Sequence, residues 1–334
     1  MFRIKNVDIS HEKLRLHSSE RNRPWGHVFD EFKNNLLDTD IRYYPNINNV
    51  RERLRKYFNY EHLILGFGSD RCIKYFFEVN NKPHWFYGKK NLIITEPSFP
   101  MYKVYGNIFG LETIKIPYSG LNFPYKELKE TINSQSIVIL SNPSSPIGNV
   151  INRKFIEEIL EMGIPVLIDE AYIEFSESDS CIDLLDIYDN LYICRSFSKA
   201  MGSAGMRIGV LLSQESNIVK ANHYRDLYEI SGLSVRWIET LLNNQSDITD
   251  YINDVIKNRG LVNQLLYETR IEHITSSCNW IHIRGDFNIQ EKIINIPENI
   301  ILKENCIIPG LGNNWIRLCI TDDKAINSED FFKK

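Results

Sequence analysis

At 334 residues the chain can form one large or two modest domains and bury a sizeable core. Hydrophobic residues make up 43% and charged residues 25%, ordinary for a soluble globular protein, and the net charge of −4 gives no bulk basic field for nucleic acid or an anionic membrane. No apolar run approaches the roughly 20 residues of a membrane span. Met1-Phe2-Arg3-Ile4-Lys5-Asn6 lacks the apolar core of a signal peptide. The six cysteines are scattered without a C-x-x-C pair, which argues against zinc and for small core residues in a reducing cytoplasm.

Residues 1–25 are polar and irregular, and they end in Leu14-Arg15-Leu16-His17-Ser18-Ser19-Glu20-Arg21-Asn22-Arg23-Pro24-Trp25. Val28, Phe29, Phe32, Leu36 and Leu37 recur at helical spacing and predict an amphipathic helix over 27–37. Tyr44-Pro45 then marks an extended or turn dipeptide, because proline disfavours the helical region for its predecessor. Val50, Leu54, Tyr57 and Phe58 predict a second helix. A short strand over 62–65 follows and runs into Gly66-Phe67-Gly68-Ser69-Asp70, which opens a helix through Ile73, Phe76 and Phe77. A strand, a glycine turn and a Ser/Asp helix start make an anion site from free N–H groups and the helix dipole; a plain N-cap is the alternative.

A strand over 91–95 leads to Glu96-Pro97-Ser98-Phe99-Pro100-Met101-Tyr102, and helix, strand and helix follow near 100–110, 111–116 and 124–132. Residues 136–140 form a β-branched strand ending in Ser141-Asn142-Pro143-Ser144-Ser145-Pro146-Ile147-Gly148. The run Val166-Leu167-Ile168 is a buried strand ending in Asp169, before Glu170-Ala171-Tyr172. A carboxylate there is costly unless paired. Another apolar strand, 191–194, meets Arg195-Ser196-Phe197-Ser198-Lys199-Ala200-Met201-Gly202-Ser203-Ala204-Gly205-Met206-Arg207-Ile208-Gly209. Its hydroxyls and arginine supply charge-assisted donors to phosphate oxygens, and a lysine among desolvating, positive neighbours suits imine formation. A solvated Ser/Gly-rich loop is the alternative.

Beyond Leu212 the alternation stops, with helices expected over 216–223, 234–244 and 249–267, strands near 279–284 and 315–320, and helices near 287–296 and 323–333. Arg317, inside an apolar strand, is expensive unless it meets an anion. From about 30 to 215, alternating strands and helices imply an α/β fold, a mostly parallel sheet with loops for chemistry at its strand ends.

The stretch from Ser196 through Ser198, Lys199, Ala204, Gly205 and Arg207 to Gly209 closely resembles the cofactor-lysine motif of fold-type-I pyridoxal-phosphate enzymes, in particular the histidinol-phosphate aminotransferase family, S/T-x-S-K-x-x-x-x-A-G-x-R-x-G. The resemblance spans about residues 16–332. It implies a large domain over 26–245 with a seven-stranded sheet, and a smaller α+β domain from 1–25 and 246–334. It also implies pyridoxal 5'-phosphate bound through Lys199, with Ser69, Asp70, Ser196, Ser198 and Arg207 around its phosphate. Phe99 would stack on the ring, Asp169 would meet the ring nitrogen, and Tyr172 would reach the ring hydroxyl. Ser145 stands where the family has an Asn for that hydroxyl, and is shorter. Catalysis would fall to Lys199, Asp169 and Tyr172.

The segment Pro309-Gly310-Leu311 to Arg317 resembles the family's substrate-carboxylate segment. Lys303 falls where relatives often carry a phosphate-binding Arg, and Arg21 and Arg23 of the N-terminal arm are further candidates for an anionic substrate. Tyr44 implies a homodimer in which it reaches the partner's cofactor phosphate. The reaction expected is transamination of a small phosphorylated amino acid or amino alcohol; decarboxylation of a serine or threonine phosphate is the alternative. Departures at Ser19, Ser145 and Lys303 argue for a compound smaller than histidinol phosphate. The N-P-x-S-P turn also resembles aminotransferase-like proteins of surface-polysaccharide pathways. A non-catalytic relative would require a broken motif, and Lys199, Asp169 and Arg207 are all present.

Overall fold

The computed structural model describes residues 14–81, 90–285, 300–301, 303–308 and 310–321. Within the arm expected to be irregular lies a short strand, β1 (Leu14–Arg15), paired in parallel with residues 300–301. Helix α1 (His27–Asn35) stops short of the expected end, and a turn of helix, α2 (Thr39–Arg42), follows it. Next come α3 (Asn48–Phe58), β2 (Leu63–Phe67), α4 (Gly68–Asn80), β3 (Asn91–Glu96), α5 (Pro100–Ile108), β4 (Glu112–Pro117), α6 (Tyr125–Thr131) and β5 (Ser136–Ser141). The structure adds a helix that the periodicity reading lacks, α7 (Arg153–Leu160), capped by the Asn152 side chain. Then follow β6 (Val166–Asp169), β7 (Leu191–Ser196) and β8 (Ile208–Ser213).

These strands build one seven-stranded sheet in the order β2-β8-β7-β6-β5-β3-β4. Only β8 runs against its neighbours, so the sheet is mostly parallel, as expected. Strands β5 to β8 are buried along nearly their whole length, which is why they read as unbroken apolar runs rather than alternating ones. Val138 and Leu140 enter the core on one face, while Ile137 and Ile139 enter the core on the other. Helices therefore cover both faces, and the loops leaving β2, β3, β5, β6 and β7 meet along one edge.

The C-terminal third contributes α8 (Glu215–Asn222), α9 (Gly232–Asn243) and the 24-residue α10 (Gln245–Glu268). It also carries β9 (His273–Ile274), β10 (Trp280–Arg284), β11 (Ile300–Ile301), β12 (Lys303–Ile308) and β13 (Gly312–Cys319). The last two join β9 and β10 in an antiparallel sheet ordered β12-β13-β10-β9. Its apolar face packs with Tyr251, Val255 and Val262 of α10 in a core of its own. The helices expected near 287–296 and 323–333 lie outside the described residues. Among the described residues no helix is long and apolar enough to cross a membrane.

Candidate active site

The loop after β7 is held in shape by its own backbone. Phe197 N–H donates to the Ile208 carbonyl at 3.1 Å, Gly202 N–H to Lys199 at 2.8 Å, and Ser203 N–H to Phe197 at 2.9 Å. Trp237 of α9 donates its indole N–H to Ser203 Oγ at 2.7 Å. The chain turns into β8 through Arg207, whose φ of 52° puts a non-glycine residue in the left-handed region, a strain of ~1–3 kcal/mol. That conformation aims its guanidinium at Asp70 Oδ2, 3.0 Å away, and towards Ser198 Oγ at 3.4 Å.

Gly209 explains how α4 comes so close. A Cβ there would lie 2.4 Å from the Gly68 carbonyl carbon and 2.5 Å from Ser69 N, so only glycine lets β8 touch the start of α4. The N-terminal end of a 13-residue helix, the Ser69, Ser196 and Ser198 hydroxyls and the Arg207 guanidinium thus converge. This is a set of donors suited to a phosphate.

Asp169 is 6% exposed at the end of β6. Its Oδ2 accepts from the Tyr102 hydroxyl at 2.6 Å, and its Oδ1 from Ala171 N–H at 3.1 Å. Burial pushes the carboxyl up to about 6, against the pull of those two bonds. The sequence reading pairs Asp169 with a cofactor and contains no role for Tyr102. Yet a buried carboxylate needs a donor from the protein too, and Tyr102 sits three residues after Phe99, one turn along α5. The Tyr102 phenol is itself pushed well up by burial and then by Asp169, so it stays a proton donor. A second buried carboxylate, to which the sequence reading gives no role, follows Asp169 in the chain. Glu170, fully buried, accepts from Cys181 N–H at 2.7 Å and Ser180 Oγ at 2.6 Å, and pairs with Arg195 at 3.3 Å. Arg195 also binds Glu174 at 2.6 Å, so the ends of β6 and β7 are tied together just before Ser196.

A cavity of about 470 Å³ brings together Ser69, Asp70, Phe99, Ser145, Asp169, Tyr172, Ser196, Ser198, Lys199 and Arg207. The arm forms part of its wall through Ser18 and Glu20. Lys199 Nζ donates to the Ser18 carbonyl at 2.9 Å and stands 5.5 Å from the centre of the Tyr172 ring. Tyr172 in turn meets Trp280 of β10 edge-on at 4.6 Å.

Five expected positions lie outside this cavity. Tyr44 is 76% exposed and stacked flat on Tyr228 at 3.9 Å, beside a separate cleft. Arg21 is stacked over Trp25 at 3.7 Å and over Tyr251 of α10 at 4.4 Å. Arg23 pairs with Asp254 at 3.7 Å. Arg317 and Lys303 face each other on β13 and β12, behind the His17 carbonyl that takes Arg317 Nη2 at 2.5 Å.

The residues fit pyridoxal phosphate at both of its ends. One end of the cavity offers the glycine-shaped cradle of phosphate donors, and Asp169 offers a buried carboxylate suited to a protonated ring nitrogen. Lys199 and the flat face of Phe99 line the same cavity.

Residues 13–328 match the family model described as aminotransferase class I and II. The histidinol-phosphate aminotransferase of Christiangramia forsetii is 30% identical over 306 residues, 88% of this chain and 85% of that protein. Among solved structures, histidinol-phosphate aminotransferase from Sinorhizobium meliloti in complex with pyridoxal-5'-phosphate superposes with a TM-score of 0.76 at 18% identity, covering 92% of this chain and 86% of that one. L-threonine-O-3-phosphate decarboxylase from Porphyromonas gingivalis does so with a TM-score of 0.75 at 18% identity, over 94% and 96%. At that identity both likenesses speak to the fold alone.

Proposed function

The chain belongs to the class I and II aminotransferase family and is a fold-type-I pyridoxal-phosphate aminotransferase, and from that premise we propose that it moves the amino group of a small phosphorylated amino acid or amino alcohol. The observation that carries the substrate class is Arg317, 7% exposed, directly opposite Lys303 across two strands. Among the described residues the cations acting on Lys303 are Arg317 and Lys199, and no carboxylate is among the groups acting on it. Arg317 is buried while Lys303 lies exposed beside it, and a buried cation next to a second one is destabilising, so a substrate anion is the economical partner. Histidinol phosphate, the compound in the relatives' name, carries an amine and a phosphate monoester and so has this chemistry.

When bound, pyridoxal phosphate supplies an electron-accepting ring that stabilises the charge left by bond breaking at the substrate α-carbon. Ser69, Ser196, Ser198 and Arg207 hold its phosphate, and Asp70 keeps Arg207 aimed at that end. Asp169 holds the proton on the ring nitrogen, in the orientation that Tyr102 and Ala171 fix. Phe99 would offer a flat face to the ring, and Tyr172 and Ser145 would be the groups for its hydroxyl; all three line the cavity. Lys199 would hold the cofactor, and its amine would move the substrate α-proton as a general base. Tyr44, exposed here, reaches the cavity of a second copy in a homodimer.

The test follows 2-oxoglutarate consumption and carbon dioxide release together, with histidinol phosphate, O-phospho-L-serine, O-phospho-L-threonine and their dephosphorylated twins. Losing a charge-assisted pair costs ~1.5–3 kcal/mol, so kcat/KM should fall ~10- to 100-fold without the phosphate. Equal constants for the twins would contradict the substrate class. Carbon dioxide released without use of 2-oxoglutarate would make decarboxylation the reaction on these substrates.

A further inference from the structure

A second group of basic residues lies outside the cavity, on the four-stranded sheet. Lys303 of β12 is the cross-strand partner of Arg317 of β13, and Arg317 is the partner of His282 of β10. Direct cross-strand partners share a face, so the three stand in one row. Two residues before His282 on that face, Trp280 meets the cavity residue Tyr172. Arg317 holds the His17 carbonyl, one residue before the Ser18 carbonyl that takes Lys199. The row therefore faces the active site.

His282 is 0% exposed, and among the described residues neither ring nitrogen has a partner. Arg317 Nε beside it is also unpartnered among them. Buried polar atoms in native folds are nearly always satisfied, and three orphans at one point mark a place for a ligand. From β13 the ring faces Arg317 and from β12 Lys303, whereas its neighbour on β9 is Ile274. Burial, then Arg317, then Lys303 push the imidazole down to about 3, so it is neutral in the free protein.

We propose that His282 is a specificity-determining residue, which completes the row with Arg317 and Lys303 and takes up a proton from solvent when a dianionic phosphate group settles there. This rests on the substrate being phosphorylated. A dianion offsets the repulsion of both cations and gives the ring N–H an acceptor; once protonated, both ring nitrogens donate. A carboxylate, with a single charge, is matched by Arg317 alone and leaves the imidazole neutral. The row thus favours a phosphate monoester over a second carboxylate, and more so as pH falls towards the ordinary imidazole range.

Sulfate is a suitable probe, because it stays a dianion throughout that range. It is titrated calorimetrically into the holoenzyme at pH 8 and pH 6, in buffers of different ionisation enthalpy. The wild type should bind about tenfold more tightly at pH 6, with measurable proton uptake. His282→Gln and His282→Leu should lose the pH dependence and the uptake, and Lys303→Ala should weaken binding at both pH values. Circular dichroism and melting of both His282 variants check the fold. A wild-type slope retained in the variants overturns the proposal. So does an absence of sulfate binding, or binding indifferent to Lys303→Ala. If the wild type prefers phosphorylated substrates while the slope survives in the His282 variants, the substrate class stands and only the role of His282 falls.

Discussion

Tyr102→Phe removes one hydroxyl from the end of the cavity and leaves the ring in place. The lost bond, 2.6 Å to Asp169 Oδ2, is one of two that favour the ionised carboxylate against its burial. A hydrogen bond to a charged group is worth ~1.5–3 kcal/mol, which makes the ionised form of Asp169 about 10- to 100-fold scarcer relative to the protonated one. Starting from about 6, most Asp169 is ionised at pH 7; after the change about half or less is. A protonated Asp169 cannot balance a charged ring nitrogen, so kcat should fall ~2- to 10-fold at pH 7 and recover towards pH 9. The acid limb of the rate profile moves to higher pH, while KM and cofactor affinity change little. Steady-state rates from pH 6 to pH 9, with equilibrium dialysis of the cofactor, measure both quantities. A loss of rate that is the same at every pH would refute the reasoning, because it would make Tyr102 a packing residue only.

Lys199→Ala should abolish turnover, by at least ~10²–10⁴-fold, while the donors around Arg207 still retain cofactor in dialysis; a variant of wild-type activity would contradict this. Asp169→Asn should slow kcat far more than it weakens cofactor binding, since the lost interaction grows as the ring takes up charge; equal losses would make Asp169 structural. The same residue sets a pH dependence of stability. Its carboxyl rises from 3.8 to about 6 on folding. Its contribution is thus present in full below the unfolded value and is lost as pH rises through about 6, by about 3 kcal/mol in the cofactor-free protein. Denaturant titrations at pH 4.5 and pH 7.5 should show about 2 kcal/mol of that decline in the wild type and none in Asp169→Asn. His282→Leu replaces an orphaned imidazole by an apolar side chain and should raise the melting temperature by ~1–4 °C, by calorimetry; a fall would mean that the ring is satisfied in the folded protein.

The large sheet was legible because its parallel strands are buried on both faces and so appear as apolar runs cut off by polar loops. Asp169 follows directly from that pattern as the polar end of one apolar run, and Ser196 and Lys199 lie in the polar loop that follows another. Helix α7 was not legible in the same way: the reading moved from the β5 turn to β6 and left the residues between them unassigned, although Phe155, Ile156, Ile159 and Leu160 form its buried stripe. Contacts between distant segments are harder still. Tyr102 and Asp169 are 67 positions apart, and only the fold brings the phenol to the carboxylate. Arg21 is a case of the same kind: it stacks on Tyr251, 230 positions away, a contact that only the fold creates. His282 gave no signal by itself, since an isolated histidine in an apolar strand has meaning only once Arg317 is known to lie beside it.

The central claim is that Lys199 carries the cofactor in the cavity that Asp169 closes. Borohydride reduction of the holoenzyme fixes the lysine–cofactor bond, and peptide mapping then locates the labelled residue. The account predicts one label, on Lys199, absent from Lys199→Ala and still present in Lys303→Ala. A label on another lysine, or none on a protein that turns over substrate, would contradict it.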